Sequence, residues 1–361
     1  MVNLLSLREQ DMVKLMADNG FQSFRGKQLF EWIWKKGIKN FDNMKNLPGN
    51  LKVWLKEHAT VGTGKVANVI ATQDGNTVKF LFKYPTEAGE TVYIETVLMC
   101  YAREKSRNRN TVCVSTQAGC AMGCKFCASA LEGLARNLSA GEIAEQVWYA
   151  DNYLSKRGLP PVTNVVFMGM GEPFYNFTAV MASVAILHQG KNIGMRRMTI
   201  STAGVVPRIR ELAQVNPQIT LAVSLHAPND VIRDRLMPIN KRYPLAQLMD
   251  AVDYYTQLTN RRVTMEYALF QGVNDSKAVG YELVELLKNR LVNVNILKGN
   301  PVPETGLLPV EDKTLQDFLA LLNHGGIESS LRESRGKDID GACGQLRKRR
   351  FSEKLPEKDD K

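Results

Sequence analysis

Hydrophobic and polar positions follow two different periods in the first hundred residues. Apolar residues recur at helical spacing in three segments, which are punctuated by Gly20, Gly37 and Pro48 and predict three helices. The period then falls to two residues in "KVANVIATQ", "NTVKFLFKY" and "ETVYIETVLMC", which predict strands. An Asp74-Gly75 dipeptide between the first two strands favours a hairpin. We therefore expect a small N-terminal module of helices and a β-meander.

From about residue 110 short β-branched segments alternate with longer amphipathic ones. The predicted strands are "TVCVSTQ", "NVVFMGM", "RMTISTAG", "ITLAVSLH", "VTMEYALF", "VNVNILK" and "ESSLRES". This alternation is typical of βαβ units with a parallel sheet, and six units favour a barrel or partial barrel, with a doubly wound open sheet as the alternative. In either fold the functional residues are expected at the carboxyl ends of the strands.

Three cysteines follow the first of these strands at close spacing. Cys120, Cys124 and Cys127 form a CxxxCxxC pattern, and Gly119 and Gly123 beside them let the backbone wrap closely. A structural zinc site or a ferredoxin cluster takes four ligands, so this set is one short. Either a fourth ligand lies elsewhere in the chain, or one coordination position is left open.

Polar and glycine residues end several later strands. "GMGEP" places Gly171 and Glu172 at one strand end, where bare backbone and a carboxylate can receive a ligand. Ser201, Ser224 and His226 end two more strands, and a helix cap or a satisfied histidine is the alternative for each. Asn300 follows a further strand, immediately before a proline, where asparagine is also an ordinary turn former.

A sixth cysteine, Cys343, lies far from the triad, between Gly341 and Gly344. A lone cysteine is most often a small buried hydrophobic residue. A seventh strand would nevertheless return this loop to the active face of the barrel, so an accessible nucleophilic thiolate is the alternative.

Composition narrows the class of protein. The net charge is +10, from 47 Lys and Arg against 37 Asp and Glu, and it is concentrated in stretches such as residues 102–110 and 347–350, which suits an RNA partner as well as a generally basic surface. Six cysteines in 361 residues, three of them clustered, argue against a disulfide scaffold. No stretch approaches the ~20 apolar residues of a membrane span, so we expect a cytoplasmic protein with no membrane partner.

In order along the chain, the cysteine triad, "MGMGEP", "STAG", "SLHAPND", "LMPIN", "GVND" and "DIDGACGQL" resemble the RNA adenine methyltransferases of the radical S-adenosylmethionine superfamily, the RlmN and Cfr group. The resemblance implies a partial (β/α) barrel of the radical-SAM type at residues 96–346, after an accessory RNA-binding domain at 1–95. Residues 347–361 are charged and are expected to be a flexible tail.

The resemblance also implies the cofactors. Cys120, Cys124 and Cys127 would hold three irons of a [4Fe-4S] cluster, and S-adenosylmethionine would bind the open fourth iron. The contacts to S-adenosylmethionine that carry over are Gly171, Glu172, Ser201, Ser224, Leu225, His226 and Asn300.

The family's reaction uses two molecules of S-adenosylmethionine per turnover. By resemblance, one methylates Cys343, and the other yields the radical that takes a hydrogen from the S-methyl group, after which the methylene carbon adds to the adenine ring. Resemblance also assigns Glu95 as the acceptor of the ring proton. It assigns Cys113 as the residue that releases the product by forming a disulfide with Cys343.

The motifs "GEP", with Pro173, and "HAPND" look like the enzymes that methylate C2 of adenine. The resemblance thus implies 23S rRNA at the peptidyl-transferase centre as substrate, tRNA anticodon loops as a second substrate, and an external one-electron donor of the flavodoxin or ferredoxin type. We expect a monomer. The rivals are a C8 methyltransferase and a non-catalytic iron-sulfur protein that binds RNA or transfers electrons. A thiomethylating enzyme would need three further cysteines in the N-terminal region, which holds only Cys100.

Overall fold

The computed structural model describes residues 1–86, 88–101, 109–215, 218–333 and 335–346. Most of the basic stretch at 102–110 and the whole of the expected tail at 347–361 lie outside the described residues. Within the described part, no helix is both long enough and apolar enough to cross a membrane.

Ten α-helices lie in the described ranges, and several begin or end at residues suited to capping. They are α1 (Glu9–Asp18), α2 (Phe24–Phe30), α3 (Gly49–His58), α4 (Ala140–Ser155), α5 (Phe177–Lys191), α6 (Val206–Val215), α7 (Asp230–Leu236), α8 (Leu245–Thr259), α9 (Lys277–Leu287) and α10 (Asp312–His324). Helix α4 starts with a capping box in which Ser139 Oγ accepts from Glu142 N and the Glu142 carboxylate accepts from Ser139 N. Helices α5 and α8 end at left-handed asparagines, Asn192 and Asn260.

The strands of the described ranges include all ten that the periodicity predicts. They are β1 (Val2–Asn3), β2 (Ala59–Thr60), β3 (Lys65–Ala71), β4 (Thr77–Pro85), β5 (Thr91–Tyr101), β6 (Arg109–Cys113), β7 (Gln117–Gly119), β8 (Leu134–Asn137), β9 (Asn164–Phe167), β10 (Met198–Thr202), β11 (Thr220–Ser224), β12 (Val263–Leu269), β13 (Val292–Lys298) and β14 (Ser329–Leu331). Asp74 Oδ1 accepts from Asn76 N in the predicted turn between β3 and β4.

The order of the strands decides between the two predicted architectures. Ten strands form one sheet in the order β14-β13-β12-β11-β10-β9-β6-β5-β4-β3, and every pair from β6 to β14 is parallel. A doubly wound sheet reverses its direction of winding at a switch point, whereas this one adds each strand on the same side. Right-handed crossovers that all run in one direction place the helices on one face. The protein is therefore the expected partial barrel.

The meander is part of the same sheet as the barrel. Strand β5 pairs antiparallel with β6 from Val97 opposite Cys113 to Tyr101 opposite Arg109, and β4 and β3 extend the sheet beyond it. The expected domain boundary after residue 95 falls inside β5. Backbone hydrogen bonding thus runs without a break from the meander into the barrel.

The N-terminal helices pack against the first helices of the barrel. Trp34 is fully buried, and a Cβ added at Gly190 of α5 would come 2.6 Å from its ring. Trp148 Nε1 of α4 donates to the Ile33 carbonyl at 2.8 Å. A side chain at position 190 would push α5 away from the indole, so the glycine sets how closely the two helical layers approach.

Candidate active site

The cysteine triad lies in a loop held by a short ribbon. Strands β7 and β8 pair antiparallel on either side of the loop, and Cys120 N donates to the Gly133 carbonyl at 2.9 Å. Gly119 has φ +80°, and a Cβ there would meet that same carbonyl oxygen at 2.0 Å. Only glycine fits this position, so the ribbon fixes where the loop starts.

The three thiols lie close enough to affect one another, with Cys120 buried and Cys124 and Cys127 half-buried. Burial raises the pKa of Cys120 to about 12 and that of Cys124 well above its ordinary value, and the charges of neighbouring thiolates raise both further. Burial also raises the pKa of Cys127. Such a set resists ionisation unless cations are bound. The donor set therefore fits an iron-sulfur cluster, which would supply positive charge to three thiolates at once.

A cavity of about 1000 Å³, including its open mouth, has these thiols on its wall. The side of the cavity away from the thiols is formed by the carboxyl ends of the strands, as the fold predicts. Predicted site residues on its wall are Cys120, Cys124, Cys127, Gly171, Glu172, Ser201, Ser224, His226, Asn300 and Cys343. No three Cys, His, Asp or Glu side chains among the described residues are arranged to hold a single metal ion. The thiols share a cavity instead, and a cluster would bind each of them at a different iron.

Leu225 is the predicted contact that does not line the cavity. Its side chain is fully buried, its N–H donates to the Glu266 carbonyl at 3.0 Å, and its carbonyl accepts from Arg233 Nε at 3.2 Å. Both backbone groups are thus already hydrogen-bonded within the protein.

Glu172 is buried at the end of β9 and is hydrogen-bonded to backbone. Its Oε2 accepts from Ala203 N at 2.7 Å and its Oε1 from Phe174 N at 3.0 Å. Burial raises its pKa to about 7 in spite of these two bonds. A carboxylate has about four lone-pair sites, so Glu172 can accept a further donor from a ligand in the cavity.

Two glycines bring the β9 loop against the start of the ribbon. A Cβ at Gly169 would lie 2.7 Å from Ser115 Oγ, and one at Gly171 would lie 2.5 Å from the Cβ of Gln117. Gly171 also has φ +101°. The two segments can therefore pack this closely only because neither position carries a side chain. The strand-end pattern alone does not reveal this reason for the glycines.

His226 is held neutral with a defined tautomer. Its Nδ1 accepts from Ala268 N at 2.9 Å, which leaves the ring proton on Nε2. Burial, followed by the positive charge of Arg233, lowers its pKa to about 3. Phe126 from the cysteine loop packs against the imidazole edge to face, with ring centres 4.6 Å apart. The residue can thus offer one N–H donor, and it stays uncharged near neutral pH.

Arg233 of α7 joins the ends of two strands. Its side chain is fully buried and donates to the carbonyls of Ala203, Ser224 and Leu225 and to Asn240 Oδ1. Burial lowers its pKa to about 10, so the guanidinium stays charged at neutral pH. It fixes the strand ends that carry the cavity-lining residues.

Cys343 is exposed, and its loop is tied to the site on two sides. Asn300 Nδ2 donates to the Cys343 carbonyl at 2.9 Å, and Ala128 N, beside the triad, donates to the Gly344 carbonyl at 2.7 Å. Asn300 Oδ1 is buried with no partner in the protein. An unpaired buried acceptor on the cavity wall fits a ligand that donates a hydrogen bond there.

A second cavity, of about 480 Å³ including its open mouth, has both Cys113 and Cys343 on its wall. Burial, with the nearby Cys343, raises the pKa of Cys113 to about 12. Arg332 lines both cavities and donates to Glu266 Oε2 at 3.2 Å. The charge of Cys343 raises the pKa of Arg332, which places a guanidinium within electrostatic reach of that thiol.

All six cysteines are free in this structure. The disulfide between Cys113 and Cys343 that the family resemblance implies is therefore not formed here.

Glu95 lies on β5 and lines neither of these cavities. It is 3% exposed, and its Oε1 is 2.9 Å from Lys79 Nζ. Glu95 lies two residues before Val97, which pairs with Cys113 across β5 and β6, so the Glu95 and Cys113 side chains point to the same face of the sheet.

No pattern in the sequence singles out Lys79, Arg233 or Arg332. "VIRDRL" does contain an arginine beside a predicted motif, but charge alone does not tell which arginine is buried.

Comparisons with known proteins give the following matches. Residues 114–281 match the family described as "Radical SAM superfamily", and residues 2–61 match "Ribosomal RNA large subunit methyltransferase N-terminal domain". The chain is 46% identical over 349 residues to the probable dual-specificity RNA methyltransferase RlmN of Desulfitobacterium hafniense strain Y51, covering 95% of each protein. It is 42% identical over 350 residues to the protein of that name from Clostridium botulinum strain Hall, covering 96% of this chain and 98% of that protein.

A solved structure is also similar over nearly the full length. It is a radical SAM methyltransferase from Sphaerobacter thermophilus, with a TM-score of 0.91 and 42% identity, covering 96% of this chain and 99% of that one.

Proposed function

The chain belongs to the RlmN-type RNA methyltransferases of the radical S-adenosylmethionine superfamily, and we propose that it methylates C2 of an adenosine in 23S rRNA and of an adenosine in tRNA anticodon loops. The position of Cys343 carries this proposal. Its thiol is on the wall of the cavity that contains the triad and also on the wall of the cavity that contains Cys113. A methyl carrier that must meet a donor and then a resolving thiol needs access to both.

The residues that would hold the cofactors follow from the first cavity. Cys120, Cys124 and Cys127 would bind a [4Fe-4S] cluster. Glu172, His226 and the serines at the strand ends would contact S-adenosylmethionine, with Asn300 Oδ1 as a further acceptor. When bound, the cluster and two molecules of S-adenosylmethionine per turnover would supply the methyl group, the radical that abstracts hydrogen, and an acceptor for the one electron that the adduct loses.

The chain's own residues would then act in sequence. The Cys343 sulfur accepts the methyl group. Once one hydrogen has been removed from that methyl group, Cys343 presents its carbon to C2 of adenine. Glu95 accepts the C2 proton, and its ion pair with Lys79 stabilises the carboxylate form that can do so. The Cys113 thiolate bonds to the Cys343 sulfur, so that the carbon-sulfur bond breaks and the carbon takes a proton to become the methyl group.

That sequence leaves a disulfide, which a reductant must return to two thiols before the next turnover. A one-electron donor of the flavodoxin or ferredoxin type would reduce the cluster. Both RNA substrates are cytoplasmic, and the reaction would take place there, by a monomer.

The test is a product analysis. The cluster-loaded protein is incubated anaerobically with reductant, S-adenosylmethionine and a 23S rRNA fragment or tRNA, and the RNA is digested to nucleosides for mass spectrometry. We expect 2-methyladenosine. The C8 isomer instead would support the rival methyltransferase, and no methylated adenosine, with no 5′-deoxyadenosine, would support a non-catalytic iron-sulfur protein.

Isotopic labelling tests the carrier role separately. With a trideuterated methyl donor the product should retain two deuterium atoms, because one is removed from the S-methyl group. Retention of three would mean direct transfer. Cys343→Ala should abolish the product, whereas Cys100→Ala, which alters a cysteine that lines neither described cavity, should keep it.

A further inference from the structure

Lys79 is a buried lysine on β4 of the meander, in the same row of the sheet as Cys113, which lines the second cavity. It pairs across β4 and β5 with Val97, which pairs in turn with Cys113 on β6. Directly paired residues point to the same face of a sheet, so these three side chains form one row across three strands. Lys79 is 6% exposed. A lysine is almost never buried to this degree unless its charge is paired.

The ammonium group of Lys79 has two partners of different kinds. Its Nζ lies 2.9 Å from Glu95 Oε1, and it donates to the carbonyl of Asp340 at 3.2 Å. Glu95 belongs to the sheet, whereas Asp340 belongs to the segment 336–346 that carries Cys343. Lys79 therefore connects the carboxylate assigned as proton acceptor to the loop of the methyl-carrying thiol.

The loop 336–346 is attached to the rest of the protein at several points. At one of them the donor of the hydrogen bond is the charged ammonium group of Lys79. The other attachments include the bonds from Asn300 to the Cys343 carbonyl and from Ala128 N to the Gly344 carbonyl. Asp340 has φ +48°, a left-handed conformation that is uncommon outside glycine and that aspartate tolerates better than most residues. The bond from Lys79 to its carbonyl acts at that point of the backbone.

We propose that Lys79 is a positioning residue that holds the Cys343 loop in place and lets the loop move without leaving a buried charge unpaired. The inference rests on the proposed function, in which Cys343 meets a methyl donor, an RNA base and Cys113 in turn, so its loop must shift. When the Asp340 carbonyl moves away, Lys79 keeps its ion pair with Glu95. At Lys79, opening then costs one hydrogen bond rather than the large penalty of an unpaired buried charge.

The experiment is hydrogen-deuterium exchange of the cluster-loaded, full-length protein without RNA, followed by mass spectrometry of peptides from 337–346. Lys79→Met alone would leave Glu95 buried without its lysine and could prevent folding. The comparison is therefore Glu95→Gln, whose amide oxygen can still accept a hydrogen bond from Lys79 and which keeps the lysine donor to Asp340, against the double variant Lys79→Met/Glu95→Gln. We expect the loop peptides of the double variant to exchange roughly tenfold faster, the effect of losing one charge-assisted hydrogen bond. Peptides from β12 should be unaffected.

A matched pair elsewhere controls for the loss of a buried lysine. Lys191 and Asp151 form a buried ion pair at 2.7 Å between α5 and α4. Asp151→Asn and Lys191→Met/Asp151→Asn should show equal exchange at 337–346. Lys79→Arg, which keeps a cation and donors, should preserve wild-type exchange at the loop.

Equal loop exchange in Glu95→Gln and the double variant would overturn the inference. So would fast exchange in Lys79→Arg. Neither result needs catalysis, so the outcome is separate from that of the product analysis. If the wild type makes 2-methyladenosine but loop exchange is the same in Glu95→Gln and the double variant, only the role of Lys79 is refuted. If the wild type makes no methylated adenosine, the proposed function is refuted.

Discussion

Replacement of Arg233 by methionine tests how the site is held together. The guanidinium donates four hydrogen bonds, to the carbonyls of Ala203, Ser224 and Leu225 and to Asn240 Oδ1. Methionine has a similar length and helix propensity, so it removes the donors and the charge while filling much of the space. The strand ends would lose their common partner.

The size of the effect follows from those four acceptors. A buried acceptor left without its donor costs about 1–3 kcal/mol, so four at the low end give about 4 kcal/mol. Removing a buried cation recovers part of its desolvation cost, which acts in the opposite direction. We expect the free energy of unfolding to fall by about 3 kcal/mol. The affinity for S-adenosylmethionine should also weaken, because Ser224 and His226 lie at the end of β11 that Arg233 fixes.

The assay is denaturant unfolding followed by tryptophan fluorescence, with the change taken as the shift in midpoint multiplied by a common slope. Arg235→Met is the matched control, because Arg235 is exposed two residues further along the same helix and its loss should change stability by no more than about 0.5 kcal/mol. A difference below about 1 kcal/mol between the two variants would refute the structural role given to Arg233.

Three further predictions concern the ribbon, the N-terminal module and the resolving thiol. Gly171→Ala should lower the free energy of unfolding by at least about 1 kcal/mol, because φ is +101° and the new Cβ would meet Gln117 at 2.5 Å. It should also weaken the binding of S-adenosylmethionine measured by calorimetry, and unchanged affinity would contradict this. Burial raises the pKa of Glu145 from its ordinary 4.5 to about 7, so its stabilising contribution is complete below about pH 4.5 and is lost as the pH rises through 7. The urea midpoint of the wild type should therefore fall relative to that of Glu145→Gln between pH 5 and 8, and parallel curves would exclude the shift. Cys113→Ala should leave RNA attached to Cys343 and visible as a slow band on a denaturing gel, and release of normal methylated RNA would show that another group resolves the adduct.

Local patterns in the sequence predict the order of the elements well. The periods of two and 3.6 residues locate every strand of the ten-stranded sheet, and the cysteine spacing locates the loop on which the site is built. The short helix α7 was missed, because its seven residues, "DVIRDRL", carry too few apolar positions to show a period. The ribbon of β7 and β8 was also missed, since each strand has four residues or fewer.

Partners that lie far apart in sequence account for what the patterns could not predict. Lys79 and Lys83 have the same parity on β4 and point to the same face, yet Lys79 is buried and Lys83 is exposed. The difference comes from the loop some 260 residues later, whose Asp340 carbonyl accepts from Lys79. In the same way, nothing in "VIRDRL" separates Arg233 from Arg235 until the strand ends are in place.

The packing of Trp34 on Gly190 has a consequence for the order of events during synthesis. The tryptophan is buried only when α5 is present, and Ile33 receives its bond from Trp148 only when α4 is present. At about 5–20 residues per second, residue 190 leaves the ribosome roughly 8–30 s after residue 34. The segment that contains Ile33 and Trp34 must wait through that interval with its apolar side chains uncovered, which makes it a natural binding site for a chaperone. A fragment ending near residue 95 would stay in this waiting state and should aggregate.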